Sequence, residues 1–130
     1  MASRAPALCV FAFAALTACG PFVPVTDVST VPREKVDMAY RVRVFTVGSN
    51  VNYPEVEQFL GAVTAYSCKN LLWDPPASQG DALQQLRLKA VGLGADAIID
   101  VTFDTRGTDA FGTNCWESVR ASGVAVRFKK

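Results

Sequence analysis

Apolar and polar residues alternate through YRVRVFTV (residues 40–47), rich in Val and aromatics, and the pattern predicts a strand closed by Gly48-Ser49-Asn50. A second strand is predicted over FLGAVTAYSC (59–68), with Gly61 marking a bulge or a close backbone approach. The period then changes. After a loop stiffened by Pro75 and Pro76, Ser78 and Asp81 have the spacing of a helix N-cap pair. Leu83, Leu86, Ala90 and Leu93 follow at helical steps on one face, with Gln84, Gln85, Arg87 and Lys89 mainly elsewhere and Gly94 as a left-handed stop. AIIDVTFD (97–104) alternates as a strand, placing Ala97, Ile99, Val101 and Phe103 on one side and Ile98, Asp100, Thr102 and Asp104 on a wet side. After a loop over 105–114, the last strand (115–129) carries Val119 and Ala121 in one parity and Val124, Val126 and Phe128 in the other, which predicts a β-bulge at Ser122-Gly123. The order β-β-α-β-β predicts an α+β domain: a small antiparallel sheet with one helix packed on a face.

The chain before this domain has a different character. ALCVFAFAALTA (7–18) is apolar apart from Thr17, too short to span a bilayer comfortably, and preceded by Arg4, as in a signal-peptide core. It runs into Leu16-Thr17-Ala18-Cys19-Gly20, which looks like a bacterial lipobox. That pattern implies diacylglyceryl transfer to the Cys19 thiol and cleavage before Cys19. Ordinary cleavage leaving a free thiol is the other reading, and Leu16 fits poorly the small-residue preference of an ordinary site. Two or three acyl chains, at about 0.8 kcal/mol per buried CH2, anchor stably where one does not. The expected organisation is a lipoprotein signal peptide at 1–18, a lipidated Cys19 with an extended Pro-containing tether through 39, and a periplasmic domain over 40–130. Pro21, Pro24 and Pro32 argue against regular structure in the tether.

Charge and composition narrow the function. The 13 Lys+Arg and 12 Asp+Glu of the 130 residues give a near-neutral chain, unlike a nucleic-acid binder that neutralises many phosphates. Removing residues 1–18 takes away Arg4 and no acid, leaving 12 bases and 12 acids. The chain has no His, which removes the commonest general base and a common metal ligand. No nucleophile-base set, GxSxG, P-loop or HExxH is present, so neither an enzyme nor a bound cofactor is expected. Asp100 and Asp104 would share a strand face about 13 Å apart, too far for one proton or one metal ion. Of four cysteines, Cys9 lies in the signal segment. Cys68 and Cys115 fall at strand ends beside long loops, where a disulfide would not distort a ladder, and export would place them in an oxidising compartment. A redox-active pair would more often be close in sequence. A metal site would need carboxylates to complete it, and free thiols suit the compartment poorly. Trp73 and Trp116 each lie near a cysteine, either packing over such a bridge or facing a partner.

Three strings carry a family resemblance: AVTAYSCKNLLWDPPAS (62–78), ALQQLRLKAVGLGADAIIDVTF (82–103) and TNCWESVRASGVAVRF (113–128). Together with the lipobox they resemble the RcsF-like outer-membrane lipoproteins of the Rcs stress-sensor family. The stretch from Lys89 to Asp100 also looks like the wider YbjQ-like α/β proteins. The resemblance implies a lipid-anchored, periplasm-facing domain that reports envelope damage by touching an inner-membrane regulator of a phosphorelay. It also implies contact with outer-membrane barrel proteins and their assembly machinery. Cys68 and Cys115 match one of the family's two disulfides, and the places of the second are Phe103 and Ala121, both apolar. An alternative is a structural or assembly lipoprotein with no signalling role. Small-ligand or metal binding, by analogy with the YbjQ-like proteins, is a third.

Overall fold

The computed structural model describes residues 25–69, 73–106 and 115–130. Cys19, the lipobox and the signal segment lie outside them. A 3-10 turn at Val28–Thr30 leads into helix α1 (Arg33–Arg41) and strand β1 (Arg43–Thr46). Strand β2 (Val56–Lys69), helix α2 (Gln79–Gly92), strand β3 (Ala97–Arg106) and strand β4 (Glu117–Phe128) follow. The strands form one sheet in the order β1-β3-β4-β2. The fold is α+β, and the sheet is mixed instead of antiparallel throughout: β1 runs parallel to β3, while β4 is antiparallel to both its neighbours. Residues 47–55 carry the chain from β1 to the opposite edge, so β1 and β2 never pair. β3 returns beside β1 only after α2, as a parallel pair requires a long crossover.

Helix α1 replaces the end of the extended tether and the first residues of the predicted first strand. Pro32 stands at its N-cap with φ −53°, where its missing N–H costs the helix no hydrogen bond. Glu34 in the first turn and Arg41 in the last complement the helix dipole. Only Ala39 is buried. The helix is short and amphipathic, and it is held by packing on α2.

Helix α2 begins as its sequence indicates. The Ser78 hydroxyl accepts a hydrogen bond from Asp81 N at 3.1 Å, satisfying one of the free N–H groups of the first turn. Gly94, at φ +73°, ends it. Ala82, Leu86 and Ala90 pack against the sheet with Val63, Ala65 and Ile98. Two placements differ from expectation. Leu93 is 44% exposed, while Gln85 is buried, 6% exposed, as is Leu88. Leu93 is the C-cap, past the last turn of the helix, while Thr26, Val31 and Lys35 lie over Gln85 and Leu88. Thr26 N donates to Gln85 Oε1 at 3.0 Å, and Gln85 Nε2 donates to Thr26 O at 2.7 Å.

The bulge lies on β3, not at Ser122-Gly123 on β4. Ile99 pairs with Val124 and Thr102 with Ser122, so Asp100 and Val101 together oppose Gly123. Asp100 takes φ +53°. The bulge turns Val101 and Phe103 to the same side as Ile98, toward α2, and leaves Ala97 and Ile99 on the other side. Strand β4 alternates without a slip. Its apolar parity changes because the second face has its own small core, where Ala97, Ile99, Val126 and Phe128 meet Phe45 and Val56. Tyr53 and Phe45 pack edge-on at 5.5 Å, and Tyr53 stacks on Phe128 at 6.2 Å. Strand β2 does carry a register shift between Phe59 and Gly61, and Gly61 sits there at φ +125°.

Candidate functional site at the bridged end of the sheet

The end of β2 and the start of β4 lie side by side, with Cys68 opposite Ser118 and Lys69 opposite Glu117. Trp116 N donates to Lys69 O at 2.8 Å, carrying the ladder one residue beyond β4. This brings Cys115 to Cys68. The two are joined in a disulfide with 5.6 Å between Cα atoms, and the link closes a loop of sequence separation 47. In the chain-entropy model a loop of that length stabilises by about 4 kcal/mol. Cys115 is buried at 1% exposure and Cys68 is half-buried. A second tie lies beside it, from Ser78 N to Ser67 Oγ at 3.1 Å. The connection from β2 to α2 is thus fastened at both ends, and Trp73 stands within it.

Trp73 is 79% exposed and Trp116 57%. Both tryptophans therefore present most of their surface to solvent, Trp116 directly after bridged Cys115 and Trp73 in the connection from β2 to α2. Phe103 and Ala121 are a directly opposed cross-strand pair in the α2-facing core.

The three aspartates do separate jobs. An Asp96 carboxylate oxygen accepts from Phe128 N at 3.0 Å, and Asp100 occupies the bulge. Asp104 pairs with Arg120 at 2.8 Å across β3 and β4. A cleft of about 420 Å3 between α1 and the end of α2, lined by Met38, Arg41, Val91 and Asp96 among others, brings one carboxylate near one guanidinium and no nucleophile. The Asp27 carboxyl is held below its ordinary value of 3.8, because the Ser29 hydroxyl and then the Ser29 N–H donate to it. The clamp between Gln85 and Thr26 was not legible as a site. Its signal is a helix with apolar residues on more than one side, which must be covered on more than one side.

The YbjQ family model, described as "Putative heavy-metal-binding", matches residues 61–129, more than half of the chain. The chain belongs to the YbjQ family. The matched region holds most of β2 together with α2, β3 and β4, so the N-terminal segment, α1 and β1 precede it. A crystal structure of a DUF74-family protein of unknown function from Pediococcus pentosaceus is similar at 22% identity, with a TM-score of 0.46. The match covers 68% of this chain and 98% of that one. No curated protein matches the chain significantly.

The family description raises a metal, and the donor chemistry of the described residues does not fit one. The chain has no His, and the thiols of Cys68 and Cys115 are consumed in the disulfide. Among the described residues no group of three or more His, Cys, Asp or Glu could hold an ion. Nor is any helix of the described residues long and apolar enough to cross a membrane.

Proposed function

We propose that this YbjQ-family chain is a lipid-anchored envelope protein that signals stress by protein contact. In this reading it is exported, acylated on Cys19, and presents the bridged end of its sheet to the periplasmic part of an inner-membrane regulator, in the manner of the RcsF-like sensors. Outer-membrane barrel proteins are its companions at the anchoring membrane. The observation that carries the reading is the exposure of two tryptophans, Trp116 next to bridged Cys115 and Trp73 in the connection that follows β2. Tryptophan is the side chain most enriched among residues that dominate protein interfaces, and a rigid base lowers the ordering cost of binding. A disulfide also suits an exported protein. The role is binding, without catalysis or a resident metal, in keeping with the scattered roles of the three aspartates.

A photo-crosslinking amino acid at position 73 or 116, in cells carrying the full-length gene, tests this. Capture of an inner-membrane regulator, with a blunted envelope-stress response on gene deletion, is the expected result. Capture of barrel proteins alone, with an intact response and a leaky envelope, would replace signalling by a structural or assembly role.

A further inference from the structure

The N-terminal segment is attached to the domain in an unusual way. The Gln85 carboxamide binds both backbone groups of Thr26, at 3.0 and 2.7 Å, much as a neighbouring strand would. Among the described residues its other hydrogen bonds are internal. Asp27 Oδ1 accepts from Ser29 N at 2.9 Å and from Ser29 Oγ at 2.7 Å, and Asp27 O accepts from Thr30 Oγ1 at 2.7 Å. These local bonds survive if the segment leaves α2. None of residues 25–31 is buried. A gap of about 230 Å3, lined by Val31, Leu88 and Lys89 among others, lies between the segment and the helix. A segment with few buried apolar contacts belongs to the part of a protein that opens at low free energy, without unfolding the rest.

We propose that Thr26–Val31 is a strap closed on α2 by Gln85, and that its opening lengthens the free chain between acylated Cys19 and the domain. The inference rests on the lipid-anchor reading above and adds its regulation. Seven peptide steps separate Cys19 from Thr26, so with the strap closed the domain's attachment point lies at most about 25 Å from the anchor, whatever the conformation between. With the strap open, the first fixed residue is Arg33, fourteen steps away, and the limit becomes about 50 Å. Closed, the strap confines the bridged end to partners in or on the anchoring membrane. Opening it extends the protein's reach toward a partner beyond that membrane, and uncovers Gln85 and Leu88.

The test uses the lipidated full chain with a donor dye on Ser49→Cys, an exposed position. It is reconstituted in phosphatidylethanolamine–phosphatidylglycerol vesicles containing an acceptor lipid. Gln85→Ala should lower energy transfer at least two-fold and speed hydrogen exchange at the Thr26 amide ten-fold or more. Thr26→Pro removes the donor from the strap side without touching α2, and should lower transfer similarly even if Gln85→Ala folds poorly. A wild-type Thr26 amide that exchanges as freely as an unfolded one overturns the strap. Faster exchange with unchanged transfer in both variants overturns the claim about length. If Cys19 carries no acyl mass while Thr26 is protected in a Gln85-dependent way, the anchor reading falls and the strap stands.

Discussion

Gly123 bears the packing cost of the bulge. A Cβ there would sit 2.7 Å from Ile98 Cγ2 and 3.0 Å from both Ile99 O and Val101 Cγ2. All three atoms belong to the stretch of β3 that bends around Asp100, and one is backbone, so they cannot all retreat. Gly123→Ala should therefore destabilise by about 1–3 kcal/mol, read as a lower urea midpoint at unchanged slope. Across the ladder, Asp100 pays a left-handed penalty at φ +53° that glycine would not. Asp100→Gly should leave the midpoint unchanged or raise it, whereas Asp100→Val should cost about 1–2 kcal/mol, the left-handed penalty of a branched residue. Asp27 provides a pH signature. Its carboxyl is held below 3.8 by the Ser29 hydroxyl and N–H, so its contribution is present above that value and lost as pH falls through the lowered one. The Ser29 amide resonance should titrate with a midpoint below 3.8, and Asp27→Asn should abolish the step.

Elements whose periodicity repeats over several turns or pairs were legible in the sequence, and those defined by distant neighbours were not. Helix α2 was read from its Ser78 cap, its Leu and Ala spacing and Gly94, and Ser78→Ala should lower stability by about 1 kcal/mol in thermal or urea melts. Leu86→Ala, at the fully buried centre of that face, should cost about 2–5 kcal/mol. The alternation of β3 was seen, but its faces were assigned as if it were straight. A bulge reverses every later side chain, and Asp100 is a residue type equally at home in a regular exposed position. In β4 a change of apolar parity looked like a bulge. It marks the place where the wet face of the sheet gives way to the Phe45–Phe128 core. The parallel β1–β3 pair escaped because a four-residue strand acquires its position from β3, and helix α1 escaped because Pro32 reads as a breaker although it stands at the start of an amphipathic helix. At the bridged end, the strand-end positions of Cys68 and Cys115 were legible and the exposure of Trp73 was left open. Gln85 lies off the apolar face in the sequence pattern, and nothing local announces the segment that covers it.

At the scale of the whole molecule, rigidity and contact are assigned to different residues of the same end, and they can be separated experimentally. A domain of this size buries a smaller share of its unfolded surface than a large one, so one covalent link is a large share of its stability. Replacing Cys68 and Cys115 together by Ala should lower unfolding free energy by about 4 kcal/mol in the chain-entropy model, an upper value if the reduced unfolded chain keeps residual structure. The same loss should appear in the wild-type chain on full reduction. Trp73, mostly exposed, makes little of this stability, and Trp73→Ala should move it by less than about 0.5 kcal/mol. If the bridged end is a docking surface, that variant should nonetheless lose most of its partner capture in cells while its urea midpoint holds. The cysteine variant should lose capture only as far as the end of the sheet loosens. A Trp73→Ala chain that keeps full capture would shift the contact away from this end, and the exposed tryptophan would then be a surface residue without a binding role.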